Sequence, residues 1–172
     1  MEIVNNETVI VKCRKQLLNT YFTDNLTSLA NIYQLRKDLE DYPERGLILI
    51  KVDNFVTINN FYGFLVGDYV IEEIAKYLKK FFPQHKIYRL SGAEFAFTLE
   101  EKMNFYSLKK YLNQIYEEMR SFFVLYQKSK IFIDFTMAST AGIEENSIFS
   151  KVSMALNYAK EIKAPFWIYE ES

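Results

Sequence analysis

The chain has 172 residues, of which 49% are hydrophobic, and its 21 Lys and Arg residues nearly balance 22 Asp and Glu residues. This length and composition predict one soluble domain with a substantial core, and the near-zero net charge argues against nucleic acid as a partner. A single cysteine excludes an internal disulfide, and no apolar run is long enough to span a membrane, so we expect a cytoplasmic location.

The first half of the chain predicts four helices and one strand. Apolar residues recur at helical spacing, and a β-rich run follows Pro43 and Gly46. In chain order we expect a helix over 7–22, a helix from about Asn31, a strand over 46–53, a short helix over 54–62 and a helix over 69–82. Asp68 is a favourable N-cap for the last of these helices, and Pro83 ends it.

The second half predicts a β-hairpin followed by alternating helices and strands. Ser91 and Gly92 join the two hairpin strands, over 86–90 and 94–100, and Gly92 can take the more demanding positive φ. We then expect a helix over 104–126, a strand over 130–143, a helix over 147–163 and a strand over 165–170. This order predicts an α/β fold in which a central sheet of about five strands, including one hairpin, is covered by helices.

Aromatic residues are numerous, with 13 Tyr and 15 Phe. Because no basic stripe accompanies them, we expect them to pack the core rather than stack on nucleic acid. Five are predicted on core faces, namely Phe81, Phe95, Phe97, Phe132 and Phe135. His85 is the only histidine and is expected to be an exposed residue at a strand edge.

Several stretches, in order and spacing, resemble the motifs of the GGDEF domain family, the diguanylate cyclases that join two GTP molecules into cyclic di-GMP. They are "DNLTSLAN" at 24–31, "LILIKVDNFVTINNFYGFLVGD" at 47–68, "RLSGAEF" at 89–95 and "ALNYAK" at 155–160. The resemblance implies the nucleotidyl-cyclase palm, a ferredoxin-like arrangement. It also implies a signalling helix over 1–22 and a degenerate GGDEF domain over 23–172.

In this family, carboxylates hold the Mg²⁺ ions that stabilise the phosphoryl transfer. The resemblance puts Lys51 at the first of these carboxylate positions and Ala93 at the second, which is also credited with helping deprotonate the attacking hydroxyl. An ammonium group repels a divalent ion, and a methyl group offers no oxygen. We therefore expect no cyclase activity, no metal site and no cofactor. Asp53 and Glu94 remain, and Mg²⁺ would be needed only if they supported a weak cyclase.

Lys51 is the most informative of these substitutions. Side chains alternate along a strand, so Lys51 and Asp53 should point to the same face of the sheet, and the resemblance puts Lys51 beside Glu94. Two arrangements remain open for the ammonium group. It can pair with Glu94 or Asp53, which we prefer, or it can face a bound phosphate in place of Mg²⁺.

The residues that read guanine in the family are better preserved than the metal ligands. Asn59 and Asp68 match the positions that hydrogen-bond the base, and a carboxylate suits the N1–H and amino donors of guanine. Helix capping is the alternative reading for both residues, and both readings remain open.

The phosphate-binding positions are eroded. Lys160 matches the family's phosphate lysine, and backbone amides around Asn54 and Phe55 can approach a phosphate at a helix N-terminus. However, Val56 and Ala164 stand where the family has Lys and Arg. We therefore expect phosphate groups to be held weakly.

The family's product-inhibition motif R-x-x-D is replaced by "FPQH" at 82–85. Without an Arg or an Asp, this stretch should not bind a cyclic di-GMP dimer. Three functions stay open: a regulatory module that binds GTP, a module for domain contacts or homodimerisation, and a weak cyclase. The resemblance implies that partner domains of a longer protein are sensors or EAL-type phosphodiesterases.

Overall fold

The computed structural model describes residues 6–141 and 148–170. Its elements are α1 (Asn6–Phe22), α2 (Ile32–Asp41), β1 (Gly46–Val52), α3 (Phe55–Tyr62), α4 (Phe64–Phe81), β2 (Ile87–Ser91), β3 (Glu94–Leu99), α5 (Phe105–Met119), β4 (Phe123–Tyr126), β5 (Ser129–Phe132), β6 (Phe135–Ala141), α6 (Ile148–Glu161) and β7 (Phe166–Glu170). Five strands form one sheet in the order β2–β3–β1–β6–β7. The predicted α/β class and five-strand sheet are confirmed.

The sheet lies between two layers of helices. β1 pairs antiparallel with β3 and β6, whereas β6 and β7 are parallel. Ile48 and Ile50 pack with α4 and α5 on one face, and Leu47 and Leu49 pack with α2 and α6 on the other. Because β1 is covered on both faces, it is apolar at nearly every position, and Lys51 marks the point where the sheet opens to solvent.

The helix predicted over 104–126 is wrong in its last third. α5 ends at Met119, and Phe123–Tyr126 forms β4, which pairs antiparallel with β5. Val124 and Ile131 are buried while their strand neighbours are exposed, a period of two that favours a strand over a helix. The single strand predicted over 130–143 is instead split between β5 and β6, and residues 142–143 lie outside the described residues.

Three of the five predicted core phenylalanines contact the core. Phe95 and Phe97 are fully buried, and Phe135 packs against the same cluster while partly exposed. Phe81 and Phe132 are 44% and 60% exposed, so their placement in the core was wrong. Phe81 is the last residue of α4, and Phe132 alternates with the buried Ile131 and Ile133, so it points to the other side of β5.

The N-terminal helix was predicted correctly in position, over 7–22. No residue of α1 is buried, and contacts at its C-terminal end attach it to the domain. The side-chain amide of Asn31 donates to the Tyr21 carbonyl at 2.6 Å, and the Tyr21 and Tyr33 rings stack with centroids 4.7 Å apart. Its role as a signalling helix remains a prediction. None of the helices in the described ranges is both long and apolar enough to cross a membrane.

Arg89 joins two segments that are far apart in sequence. Its guanidinium donates to both Asp24 carboxylate oxygens, at 3.0 and 3.1 Å, and to the Gly92 carbonyl, at 3.0 and 2.8 Å. Burial raises the pKa of Asp24, but hydrogen bonds from Thr27 and the contact with Arg89 outweigh it, so the net pKa is below its usual value. Arg89 thereby fixes the β2–β3 turn, in which Gly92 has the expected positive φ of 53°.

Replacing Arg89 should destabilise the domain because Asp24 would lose its charged partner. Arg89→Leu is expected to lower the free energy of unfolding by roughly 2–3 kcal/mol, measured by urea denaturation. Arg120→Leu is the matched control, since Arg120 pairs with Glu117 at an exposed site. The control should cost less than about 0.5 kcal/mol. Equal losses for the two variants would contradict this role for Arg89.

His85 is half-buried, so its predicted position as an exposed strand-edge residue is wrong. Its ring stacks on Phe97 with centroids 4.9 Å apart, and its Nε2 lies 2.6 Å from the Tyr111 hydroxyl. Burial lowers the pKa of His85 below its ordinary value of 6.5. Phe82, at the other end of the "FPQH" stretch, is also in the core. The stretch is therefore a packing element of the fold.

Stability should fall as the pH is lowered through the ordinary histidine pKa. The folded state resists protonation of His85, so below about pH 6.5 the unfolded state binds the extra proton and gains stability. In His85→Gln the urea midpoint, measured by fluorescence, should change less between pH 7 and 5 than in the unmodified chain. The further loss of stability near pH 4 and below should remain, because Asp24 and Asp38, both with lowered pKa values, take up protons there. An unchanged slope between pH 7 and 5 would contradict the effect of burial.

Candidate functional site

Lys51 and Glu94 lie opposite each other on two neighbouring strands of the sheet. They are directly opposite in the β1–β3 register, so their side chains lie on the same face. Lys51 Nζ is 3.9 Å from Glu94 Oε2, and the two side chains are 38% and 22% exposed. The predicted pairing of Lys51 with Glu94 is met only as a long ion pair without a hydrogen bond, because a separation of 3.9 Å exceeds hydrogen-bond reach.

Ala93 leaves no polar side chain at its own position in the β2–β3 turn. It is 7% exposed, and its carbonyl accepts a hydrogen bond of 3.0 Å from the Val52 amide. This backbone bond extends the β1–β3 pairing beyond the strands and positions the end of β1. The Ala93 methyl group belongs to the hydrophobic core on the α4 and α5 face of the sheet.

Asp53, just after β1, is held by β6. Its carboxylate accepts a hydrogen bond from the Thr136 hydroxyl, and its amide donates to the Asp134 carbonyl at 2.9 Å. The sequence analysis missed Thr136, although a threonine within a buried strand is a signal that its hydroxyl has a partner. Part of the hydrogen-bonding capacity of Asp53 is thus already used within the protein.

Asp53 and Glu94 are the carboxylates that remain at the family's metal-binding position. No group of three or more His, Cys, Asp or Glu side chains able to hold a metal ion occurs within residues 6–141 and 148–170. Glu94 forms an ion pair with the Lys51 ammonium, which competes with a divalent ion for the same carboxylate. The residues present do not fit the Mg²⁺ ions that the resemblance implies.

Asn59 lies in the middle of α3, so its predicted alternative role as a helix cap is wrong. Its side-chain oxygen is buried and has no hydrogen-bond partner among the described residues. It packs against Gly67 of α4, where an added Cβ would lie only 1.8 Å from it. A buried acceptor without a partner destabilises a protein by about 1–3 kcal/mol, so this oxygen would gain from a hydrogen-bond donor that the described residues do not supply.

Asp68 also does not cap a helix. α4 begins at Phe64 with Gly63 as its N-cap residue, so Asp68 lies on the second turn of the helix. Asp68 is exposed. The N-cap prediction failed because α4 begins earlier than predicted. Gly63, with φ of 89°, is the single residue between α3 and α4. The structure therefore leaves the Asp68 carboxylate facing solvent near the junction of these helices.

Asn54 and Phe55 have structural side chains. The side-chain amide of Asn54 joins the end of β5 to the residue before β6. Its Nδ2 donates to the Phe132 carbonyl at 2.9 Å, and its Oδ1 accepts from the backbone amide of Asp134 at 3.2 Å. Phe55 packs against the hydrophobic core. These two residues can offer a ligand the backbone amides at the N-terminus of α3, because the first amides of a helix have no partner within it.

A cavity of about 500 Å³ brings Lys160 close to Asp53 at one end of the sheet. Its lining also includes Thr136, Arg120, Lys163 and Ala164. Lys160 and Lys163 form no ion pair within the part of the chain that the structure describes, whereas Arg120 is held by Glu117 at 2.9 Å. The sequence analysis missed Arg120 and Lys163. Only the i, i+3 spacing of Lys163 from Lys160 could have indicated it.

The family model described as "Diguanylate cyclase, GGDEF domain" matches residues 21–164. The chain belongs to this family. Among curated proteins, this GGDEF chain is 38% identical over 103 residues to the probable diguanylate cyclase DgcI of Escherichia coli, matching 55% of this chain and 23% of that protein. It is 41% identical over 92 residues to diguanylate cyclase DgcN of the same species, matching 49% and 22%. The matches thus span less than a quarter of these relatives.

Solved GGDEF structures share the fold. A diguanylate cyclase/phosphodiesterase from Caldicellulosiruptor saccharolyticus superposes with a TM-score of 0.77 at 19% identity, covering 90% of this chain and 96% of that one. The coiled coil and GGDEF domain of DgcB from Caulobacter crescentus, in complex with c-di-GMP, gives 0.74 at 20% identity, covering 95% and 93%. The nucleotidyl-cyclase palm expected from the motifs is therefore confirmed.

The contact between Asn59 and Gly67 can be tested by a double-mutant cycle. Ala normally stabilises a helix by about 0.5–1 kcal/mol relative to Gly, but Gly67→Ala should destabilise the domain by about 1–3 kcal/mol because its methyl meets Asn59. In an Asn59→Ala background the same change should be neutral or stabilising, as measured by urea denaturation. Additive effects in the two backgrounds would contradict the close packing of these residues.

Proposed function

We propose that this chain is a regulatory GGDEF domain of a cyclic di-GMP signalling protein, and that it has no cyclase activity. One observation carries the proposal: the Lys51 ammonium is paired with Glu94 where the family resemblance requires a metal-binding carboxylate. The Lys51 ammonium makes the family's metal pocket less negative. Electrostatic attraction for a divalent ion is weakened with it.

Ala93 removes the second contribution to catalysis. Joining two GTP molecules requires a 3′ hydroxyl to lose its proton as it attacks an α-phosphate and pyrophosphate leaves. A methyl group at this position can neither accept that proton nor bind a metal. Loss of both contributions lowers a phosphoryl-transfer rate by several orders of magnitude. Glu94 and Asp53 do not compensate, because Lys51 and Thr136 already contact them.

A weak guanine-nucleotide site is the second part of the proposal. Asp68 is an exposed carboxylate and Asn59 has an unpartnered buried oxygen, and both match the family positions that read the base. With both capping roles removed, ligand binding is the remaining reading of these residues. On the phosphate side, Lys160 remains, but Ala164 stands where the family has an Arg. The triphosphate therefore contributes little to the binding free energy.

Regulation through neighbouring domains is consistent with the structural relatives. The Vibrio cholerae LapD structure contains an S helix, a GGDEF domain and an EAL domain, and SiaD from Pseudomonas aeruginosa was solved with its activator SiaC. We propose that α1, which buries no residue of its own, similarly connects this domain to a sensor or EAL-type partner within a longer protein.

The cyclase assay tests this proposal directly. Incubation of the purified chain with GTP and Mg²⁺ or Mn²⁺ should give no cyclic di-GMP above background by chromatography, while an active diguanylate cyclase assayed in parallel gives product. Lys51→Asp and Ala93→Asp should each remain inactive alone, because each restores one carboxylate only. Product from the unmodified chain that disappears in Glu94→Ala would contradict the proposed loss of activity.

A further inference from the structure

The β4–β5 hairpin exposes three large apolar side chains on one side. Phe123 lies opposite Phe132 in its register, and opposite residues share a face. Leu125 and Lys130 form the next pair on that same face. Phe123, Leu125 and Phe132 are 37%, 57% and 60% exposed. We call these four residues the hairpin surface. The residue between them on each strand is buried in the core, so the hairpin surface is not needed to hold the hairpin in place.

The hairpin surface lies in a basic segment of the chain. No acidic residue occurs between Glu118 and Asp134, and two of the three basic residues in that stretch are Lys128 and Lys130. Lys130 Nζ lies 4.6 Å from the centre of the Phe123 ring, and Lys128 is exposed in the turn. Neither lysine forms an ion pair with another described residue. Because the net charge of the chain is −1, this unpaired positive charge is local to the hairpin.

The outer edges of the hairpin already have hydrogen-bond partners within the domain. The Tyr69 hydroxyl donates to the Leu125 carbonyl at 3.2 Å on the outer edge of β4. The Asn54 side chain donates to the Phe132 carbonyl at 2.9 Å on the outer edge of β5. An added strand needs such outward carbonyls to accept its own backbone amides. Strand addition by an extended peptide is therefore disfavoured, and the face of the hairpin is the part left free.

The size of the hairpin surface favours a bilayer over a folded protein as its partner. Since a large side chain carries roughly 150–250 Å² of surface, the three apolar residues together expose on the order of 300 Å². A stable protein interface needs about 800 Å² from each partner, which the hairpin surface does not supply. A bilayer needs no matching shape. Each apolar side chain inserted at its surface, and each lysine near anionic headgroups, adds to the binding.

We propose that the hairpin surface binds the headgroup region of an anionic lipid bilayer. Phe123, Leu125 and Phe132 insert at the boundary between headgroups and acyl chains, while Lys128 and Lys130 contact the lipid phosphates. Two lysines and three apolar side chains give a weak and reversible attachment, so the contact orients the domain at a membrane rather than anchoring it. This binding does not rest on the proposed loss of cyclase activity.

Co-sedimentation of the full chain with lipid vesicles tests the binding. The chain should bind vesicles of equal parts phosphatidylglycerol and phosphatidylcholine, but not vesicles of phosphatidylcholine alone. Lys128→Glu/Lys130→Glu should weaken the binding at least about tenfold, because it reverses the charge that faces the lipid phosphates. Lys109→Glu/Lys110→Glu makes the same change of net charge at exposed positions of α5 and should lose far less. No binding to the anionic vesicles, or equal losses for the two variants, overturns the proposal.

An environment-sensitive fluorescent label tests whether the hairpin enters the bilayer. Cys13 is the only cysteine, so the label is attached to Leu125→Cys in a Cys13→Ser background. Its emission should strengthen and shift to shorter wavelength when the anionic vesicles are added. The same label on Tyr106→Cys, at 84% exposure on α5, should not respond. Both positions are exposed, so thermal unfolding should confirm that the variants fold.

Poly-L-glutamate, added in place of vesicles, separates a bilayer from an acidic protein as the partner. It should leave the emission of the Leu125→Cys label unchanged, because it offers no apolar phase for the hairpin to enter. A label that responds to poly-L-glutamate but not to vesicles identifies an acidic polypeptide as the partner and overturns the proposal. Equal responses of the labels on Leu125→Cys and Tyr106→Cys to the anionic vesicles also overturn it.

Discussion

Arg89 is the residue on which the geometry of the candidate site depends. Its guanidinium binds Asp24 on one side and the Gly92 carbonyl on the other, so the loop before α2 and the β2–β3 turn are fixed to one another. The Arg89 amide also donates to the Ala30 carbonyl at 2.9 Å, which adds a backbone contact to the same loop. With the hairpin fixed in this way, Glu94 is delivered opposite Lys51 in the β1–β3 register.

The two substitutions in the catalytic motifs are physically consistent with each other. Without a metal ion, a carboxylate at position 51 would lie beside Glu94 and near Asp53, and like charges at this distance repel. Lys51 removes that repulsion and supplies a counter-charge for Glu94, while Thr136 satisfies Asp53. These contacts are consistent with the proposal that the chain keeps the family's sheet register and hairpin without its cyclase activity.

The sequence predicted the parts of the fold that local periodicity determines. The buried strand β1 and the amphipathic α4 follow from spacing and alternation, whereas the placement of Glu94 beside Lys51 came from the family resemblance. The β4–β5 hairpin was missed because Phe123–Tyr126 is apolar enough to extend the preceding helix, and only tertiary packing decides which side chains are buried. Asp68 was misplaced because one residue, Gly63, allows a second helix to start earlier than the capping signal indicated. The contacts of Arg89 with Asp24 join segments distant in sequence, and no local pattern indicates them.

The central claim is that Lys51 has taken the place of a bound divalent ion. Calorimetric titration of the chain with GTP, with and without Mg²⁺, tests it most directly, with Lys51→Asp titrated alongside. We expect weak binding that Mg²⁺ leaves unchanged, because Lys51 contacts Glu94 and Thr136 contacts Asp53 where the family holds the ion. Lys51→Asp should make binding more sensitive to Mg²⁺. Tight binding by the unmodified chain that requires Mg²⁺ would contradict the account.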